Sequence, residues 1–200
     1  MHHALTPLTL RAVHICINMQ RVFSDEGLWS TPWLPNVLPQ CVALAKHRPD
    51  ATIFTRFVTP PTPETAKRRL ESILSPLARD DTRASILPCW SSFPNLRASH
   101  LPLRSLTSPS IVRSRAASLV AHLRERDVET VILTGAETDV CVLSSALGAV
   151  DHGFHVIVAK DAVCSFSDTG HDALLSLFEQ RFSQQITVLE TAQILEEWRT

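Results

Sequence analysis

Short apolar runs alternate with longer stretches of helical spacing along most of this chain. Ala12-Val13-His14-Ile15-Cys16-Ile17 is apolar and rich in β-branched residues, so it reads as a buried strand. Leu38 to His47 places Leu38, Val42, Leu44 and Ala45 at helical spacing, and Ala51 to Phe57 reads as a second strand. Arg115 to Arg126 reads as a helix, with Ala117, Leu119, Val120 and Leu123 on its apolar face. Thr130 to Thr134 follows as a strand, Asp139 to Asp151 as a helix, Phe154 to Ala159 as a strand and Thr169 to Phe182 as a helix. Gln185 to Leu189 is the last strand and Glu190 to Trp198 the closing helix. Strands alternating with helices imply right-handed βαβ units. The expected fold is therefore α/β: one domain over residues 1–200, a three-layer α-β-α sandwich with a mainly parallel sheet. Ligands of such folds bind at the carboxyl ends of the strands, and both Asn18 and Cys141 lie just past a strand.

The middle of the chain breaks the rhythm. Leu87 to Arg115 is rich in Ser, Pro and Arg and follows neither period, and a loop of that length is unusual inside a compact domain. Residues 59–115 are atypical as a whole.

Composition narrows the function classes. The 200 residues are 44% hydrophobic with a net charge of −1, so nothing in the charge favours nucleic acid or an anionic membrane surface. No apolar run approaches the ~20 residues that a spanning helix needs. The first residues lack a basic stretch followed by a clean apolar run, so no secretory signal is expected. The five cysteines are odd in number, widely spaced and form no CxxC pair. That pattern fits reduced thiols in the cytoplasm better than a disulfide frame or a zinc site. The chain has no Tyr.

The most specific chemistry lies in Thr130 to Val150, where an apolar strand runs into Gly135, a short polar turn and then Cys141 ahead of a helical Leu/Ala pattern. A helix N-terminus carries unpaired N–H groups and partial positive charge, so a thiol in the first turn is expected to be activated as a nucleophile. Cys16 is expected in the strand core, Cys41 on a helix face and Cys164 in a loop. His14 is expected to pack within the sheet, His152 and His155 to be solvated, and His171 and Asp172 to cap or face outward. Phe23, Trp29 and Trp33 follow the first strand, and Phe23 and Trp29 either line a substrate pocket or pack in the core. Arg56 ends the second strand, where it is placed to hold a substrate carboxylate or to sit as a rim charge.

The turn Gly135-Ala136-Glu137-Thr138-Asp139-Val140-Cys141-Val142, the opening Asn18-Met19-Gln20 and the later Asp161-Ala162 together resemble the isochorismatase-like cysteine hydrolases. The resemblance covers roughly residues 11–58 and 116–195 and implies hydrolysis of a C–N bond in a small amide or ureido compound. In the family an Asp takes the thiol proton, a Lys stabilises the thiolate, and the thiolate attacks the carbonyl to form an acyl-enzyme. By position, Cys141 is the nucleophile, the backbone N–H groups of Glu137 and Cys141 form the oxyanion hole, and a cis peptide falls between Ala136 and Glu137. Two positions depart from the pattern. Asn18 stands where the family has its Asp, and an amide cannot act as a base. No lysine stands in the family position: Lys46, Lys67 and Lys160 lie outside it, and Lys160, just before Asp161 at the end of the fourth strand, is the candidate substitute. These departures leave open a relative that binds a small molecule or partner without turnover. Isochorismatase-type vinyl ether hydrolysis is a third reading, which the retained Cys141 disfavours. The Asp-x-His metal motif of the nicotinamidase branch is absent after Phe57, so no metal and no cofactor are expected. The implied partner is a small-molecule substrate, with no nucleic acid and no membrane, and the family commonly forms dimers or higher homo-oligomers.

A single-base reading-frame offset would account for the atypical middle. Codons for Ser85 to Trp90, read from the last base of the serine codon, can give Asp-Pro-Ala-Met-Leu. Leu103 to Ile111, read with the same offset, can give Thr-Val-Ile-Asp-Lys-Pro-Val-Tyr, a strand leading into a lysine. The frame is regained near Arg115–Leu119, where helical spacing resumes. Sequencing the gene is expected to reveal two compensating single-base changes flanking this region relative to close relatives. An unshifted frame throughout would refute the offset.

Overall fold

The computed structural model describes residues 11–25, 27, 29–55, 57 and 119–198. Arg56, Cys89 and the atypical segment 59–115 with its offset lie outside the described residues, so the expectations placed on them are not addressed below.

Five strands, β1 (Ala12–Ile17), β2 (Thr52–Thr55), β3 (Thr130–Ala136), β4 (His155–Cys164) and β5 (Ile186–Leu189), form a parallel sheet in the order β2-β1-β3-β4-β5. Four helices flank it: α1 (Leu34–His47), α2 (Leu143–Asp151), α3 (Asp168–Arg181) and α4 (Thr191–Glu197). Residues 119–125 are also helical. On one face, Leu44 of α1 and Ile194 of α4 pack with Cys16, Phe54 and Ile132 of the strands. On the other, Ala146 of α2 and Leu174 and Phe178 of α3 pack with Ile15, Ile53 and Leu133. Burial on both faces explains why the strands read as apolar runs without alternation. The three-layer α/β architecture is the expected one.

The chain leaves β1 for β2 on one side and returns to β3 on the other. That reversal puts the topological switch point, the usual ligand crevice of open parallel sheets, at the carboxyl ends of β1 and β3. Gly135 shapes this spot. It pairs with Ile17 at φ 106°, and a Cβ there would lie 1.9 Å from the Ile17 carbonyl oxygen. Only glycine permits both the backbone angle and the approach.

Several boundaries differ from expectation. Helix α1 begins one turn early, at Leu34, where Pro35 fits the first turn. Strand β4 runs five residues beyond Ala159 because its two charged residues are accommodated. Lys160 is exposed and pairs with Glu190 at 2.9 Å. One Asp161 carboxylate oxygen accepts from both the backbone N–H and the hydroxyl of Thr191, each at 2.8 Å, tying the strand to the start of α4. Cys164 is therefore a buried strand-end thiol and not a loop residue. His155 opens β4 half-buried, 3.0 Å from the Thr187 hydroxyl, and is not solvated. The helix expected from Asp139 is split: Thr138–Val142 forms a π-helical turn, and α2 starts at Leu143.

His14 is fully buried in the sheet, as expected, between the hydroxyls of Thr134 (2.8 Å) and Thr52 (3.3 Å). Burial disfavours the imidazolium and lowers the His14 pKa to about 3. The unfolded chain, with an ordinary histidine near 6.5, binds the proton first as pH falls, so His14 removes stability from about pH 6.5 downward to about pH 3. Urea titrations of a His14→Gln protein, compared with the parent between pH 7 and 4.5, are expected to show a shallower loss of stability. The difference approaches about 1.4 kcal/mol per pH unit well below pH 6.5. Parallel pH profiles would show that His14 is not the titrating group.

Candidate active site

Strand β1 ends in Asn18, whose backbone is left-handed at φ 52°. Asparagine tolerates that region better than most residues, because its short polar side chain can bond locally. The turn is held on both sides: the Asn18 N–H donates to the Thr55 carbonyl at 3.2 Å, and the Asn18 carbonyl accepts from the Gln20 N–H at 2.7 Å. The Gln20 side chain, fully buried, clamps the backbone of Phe57, accepting from its N–H at 2.6 Å and donating to its carbonyl at 3.1 Å. The Met-Gln pair of the first motif thus fixes the chain that follows β2 against the end of β1.

From the other side, β3 delivers the cysteine turn. The Ala136–Glu137 peptide is cis, as the resemblance implies. The Glu137 carbonyl accepts from the N–H groups of Val140 (3.2 Å) and Val142 (3.0 Å), which closes the π-helical turn around Cys141. The backbone N–H of Glu137 and the side-chain amide of Asn18 both favour the Cys141 thiolate. The two motif residues therefore meet at the switch point.

The expected activation of the thiol is not what this geometry produces. Cys141 lies in the π-helical turn, ahead of the first turn of α2, and its pKa is raised above the ordinary thiol value. Burial is the largest cause, and the carboxylates of Glu137 and Asp139 add to it. The two donors oppose the shift without cancelling it. Among the described residues, no lysine or arginine contributes. Lys160 is turned to Glu190 and does not substitute for the family lysine.

The acids of the turn are themselves held in place. The Glu137 carboxylate accepts from the Phe166 N–H at 3.2 Å, and its pKa is raised, chiefly by burial. Asp139 accepts from the Ser165 hydroxyl. Gly170, in the first turn of α3, packs so closely on Asp139 that a Cβ would lie 2.4 Å from its Oδ2 atom. Thr138 is bonded to His171 Nδ1 at 2.9 Å, so His171 supports the cysteine turn from α3. Sequence spacing does not reveal these links, because Ser165, Gly170 and His171 are some thirty residues from the groups they touch.

The other residues singled out in the sequence separate into packing and rim. Phe23 is 3% exposed and lies in the core. Trp29, partly buried, packs against Phe57 and Phe23 with ring centroids 5.3 and 6.2 Å away. Trp33 is half-exposed, and its indole N–H donates to Asp168 at 2.7 Å. It lines a cavity of about 440 Å³ together with Cys164, Ser165 and His171, and Asn18 is not among the lining residues. Cys141 does not line that cavity. Cys16 and Cys41 are buried, and the Cys41 thiol donates to the Ala162 carbonyl at 3.3 Å. Among the described residues no helix is long and apolar enough to cross a membrane, and no three His, Cys, Asp or Glu side chains converge as a metal site.

Residues 12–190 match the family model described as Isochorismatase domain. An isochorismatase family protein of Bacillus subtilis (strain 168) is 42% identical over 68 residues, 34% of this chain and 37% of that protein. Maleamate amidohydrolase of Pseudomonas putida is 32% identical over 80 residues, 40% of this chain and 38% of that enzyme. The matched stretches thus span well under half of these curated relatives. A cysteine hydrolase from Pseudomonas syringae pv. phaseolicola 1448A superimposes with a TM-score of 0.77 at 20% identity, covering 98% of both chains. The nicotinamidase of Bacillus subtilis gives 0.67 at 20% identity, over 90% of this chain and 99% of that one. With the family profile running from β1 through β5, the chain belongs to the isochorismatase family.

Proposed function

We propose that this protein is a cysteine hydrolase that cleaves the C–N bond of a small amide or ureido compound. The observation that carries this reading is the placement of the Cys141 turn, with its cis Ala136–Glu137 peptide, beside Asn18 at the switch point of an isochorismatase-family sheet. Maleamate amidohydrolase among the relatives and nicotinamidase among the similar folds both act on amides by name.

In the proposed reaction the Cys141 sulfur adds to the substrate carbonyl carbon, and the oxygen takes the developing charge toward the N–H groups of Glu137 and Cys141. A preorganised donor of this kind is typically worth about 100- to 1000-fold in rate. Collapse breaks the C–N bond, and the thiol proton, relayed through water, leaves on the nitrogen. Water then attacks the thioester carbon, releasing the acid and returning the proton to sulfur. Asn18 orients the thiol but holds no proton, so the step that deprotonates Cys141 is slow at neutral pH. The alternative, binding without turnover, draws on the same two facts: Asn18 in place of an acid and a thiol pushed up by burial and two carboxylates. Cys41, Cys141 and Cys164 form no disulfide among the described residues, which suits a reducing compartment.

The raised thiol predicts the pH dependence. Alkylation of Cys141 by iodoacetamide, followed by peptide mass spectrometry, is expected to accelerate about tenfold per pH unit from pH 7 to 9. A plateau below pH 8 would reveal a stabilised thiolate and contradict the site's electrostatics. With nicotinamide and maleamate as trial substrates, Cys141→Ser is expected to abolish hydrolysis. Asn18→Asp is expected to raise kcat roughly 100-fold by restoring a base. Undiminished turnover by Cys141→Ser would exclude the covalent route. Calorimetric binding with no turnover by either the parent or Asn18→Asp would favour the non-catalytic alternative.

A further inference from the structure

The cavity of about 440 Å³ beside Trp33 is lined by neither Cys141 nor Asn18. Its walls come from three elements: Trp33 ahead of α1, Cys164 and Ser165 at the end of β4, and Asp168, His171 and Asp172 in the opening turns of α3. Its charge is unbalanced. The carboxylates of Asp161, Asp168 and Asp172 line it against the single ammonium of Lys160, which is turned to Glu190 at 2.9 Å. Asp168 Oδ1 accepts the Trp33 indole N–H at 2.7 Å, which sets the half-exposed indole against the acid. Asp172 lies one turn on, on the same face of α3, and makes no ion pair among the described residues. The Cys164 thiol, 2% exposed, also lines the cavity and finds no hydrogen-bond partner among the described residues. A concave site with an aromatic wall and a few converging polar groups is the usual form of a small-molecule site.

We propose that this cavity binds a small organic ammonium ion, and that the bound cation acts on Cys141 through the cysteine turn. An ammonium seated on the indole of Trp33 between Asp168 and Asp172 gains cation–π attraction and charge-assisted hydrogen bonds. A bare metal ion fits less well, because no three His, Cys, Asp or Glu side chains converge there. The link to the thiol is built into the lining. Ser165 donates to Asp139, and His171 Nδ1 is bonded to Thr138 at 2.9 Å, so two side chains of the cavity are the ones that hold the cysteine turn. Asp139 disfavours the Cys141 thiolate, and a positive charge beside Ser165 opposes that effect. Neither the binding nor its effect on the thiol requires turnover, so both can be measured whether or not the protein hydrolyses an amide.

Titration calorimetry with benzylammonium chloride at matched ionic strength measures the binding, with benzyl alcohol as the neutral analogue. Benzylammonium is expected to saturate one site and benzyl alcohol to bind roughly tenfold more weakly. Asp172→Asn, at an exposed position, is expected to weaken benzylammonium roughly tenfold. Saturating benzylammonium is expected to speed alkylation of Cys141 by iodoacetamide roughly twofold at neutral pH, with the rate at glutathione unchanged. No saturable binding, or equal binding of the alcohol, would overturn the site, and neither result needs a variant to fold. Asp172→Asn that binds as tightly as the parent would overturn it too. Alkylation that is slowed, as by a cation seated over the sulfur, or that is unchanged at saturation would overturn the link to Cys141.

Discussion

A side chain at position 135 would run into the Ile17 carbonyl, and the close passage of β3 across the end of β1 that this glycine permits is the constraint behind the whole site. Parallel pairing of these two strands sets the switch point, and the missing Cβ lets the backbones approach just before each chain turns away. Asn18 follows Ile17 immediately, and the cis Ala136–Glu137 peptide follows Gly135. The thiol and the amide therefore meet because of backbone geometry, before any side-chain preference acts. The clamp of Gln20 on Phe57 and the bond from the Asn18 N–H to Thr55 then fix β2 to the same point.

Among the described residues, no Lys or Arg side chain acts on the Cys141 sulfur. Cys141 shares its turn with Glu137 and Asp139, and both acids act against the thiolate. They are retained by other bonds: Glu137 to the Phe166 N–H, and Asp139 to the Ser165 hydroxyl against the first turn of α3. The same acids that hold the turn in place thus add to the upward shift that burial imposes on the thiol. The Glu137 N–H and the Asn18 amide favour the thiolate, but they do not offset burial plus two carboxylates. In the proposed hydrolysis, this balance leaves the deprotonation of Cys141 as the weak step.

Much of the framework was legible because parallel strands buried on both faces announce themselves as β-branched runs, as in Ala12–Ile17 and Thr130–Leu133. The cysteine turn was legible through its residue spacing, and the position of the cis peptide followed from the resemblance. Three features were hidden for physical reasons. Lys160 and Asp161 read as the end of a strand, yet β4 continues because Glu190 and Thr191, distant in sequence, satisfy their charges. The π-helical turn carries no sequence signature distinct from an α-helix, so Cys141 was placed in a helical first turn that it does not occupy. The rise in the thiol's pKa depends on burial and on neighbouring acids together, and residue order alone reports neither.

The central claim is that Cys141 forms the covalent intermediate in a site whose deprotonating step is weak. Intact-protein mass spectrometry of the parent protein after brief mixing with maleamate at pH 9, quenched in acid, tests it most directly. The account predicts an adduct of the acyl mass that maps to Cys141, is discharged by hydroxylamine, and is scarcer at pH 7. Hydrolysis of the amide with no adduct on Cys141 at any time point, and with unchanged turnover after Cys141 is blocked, would contradict it.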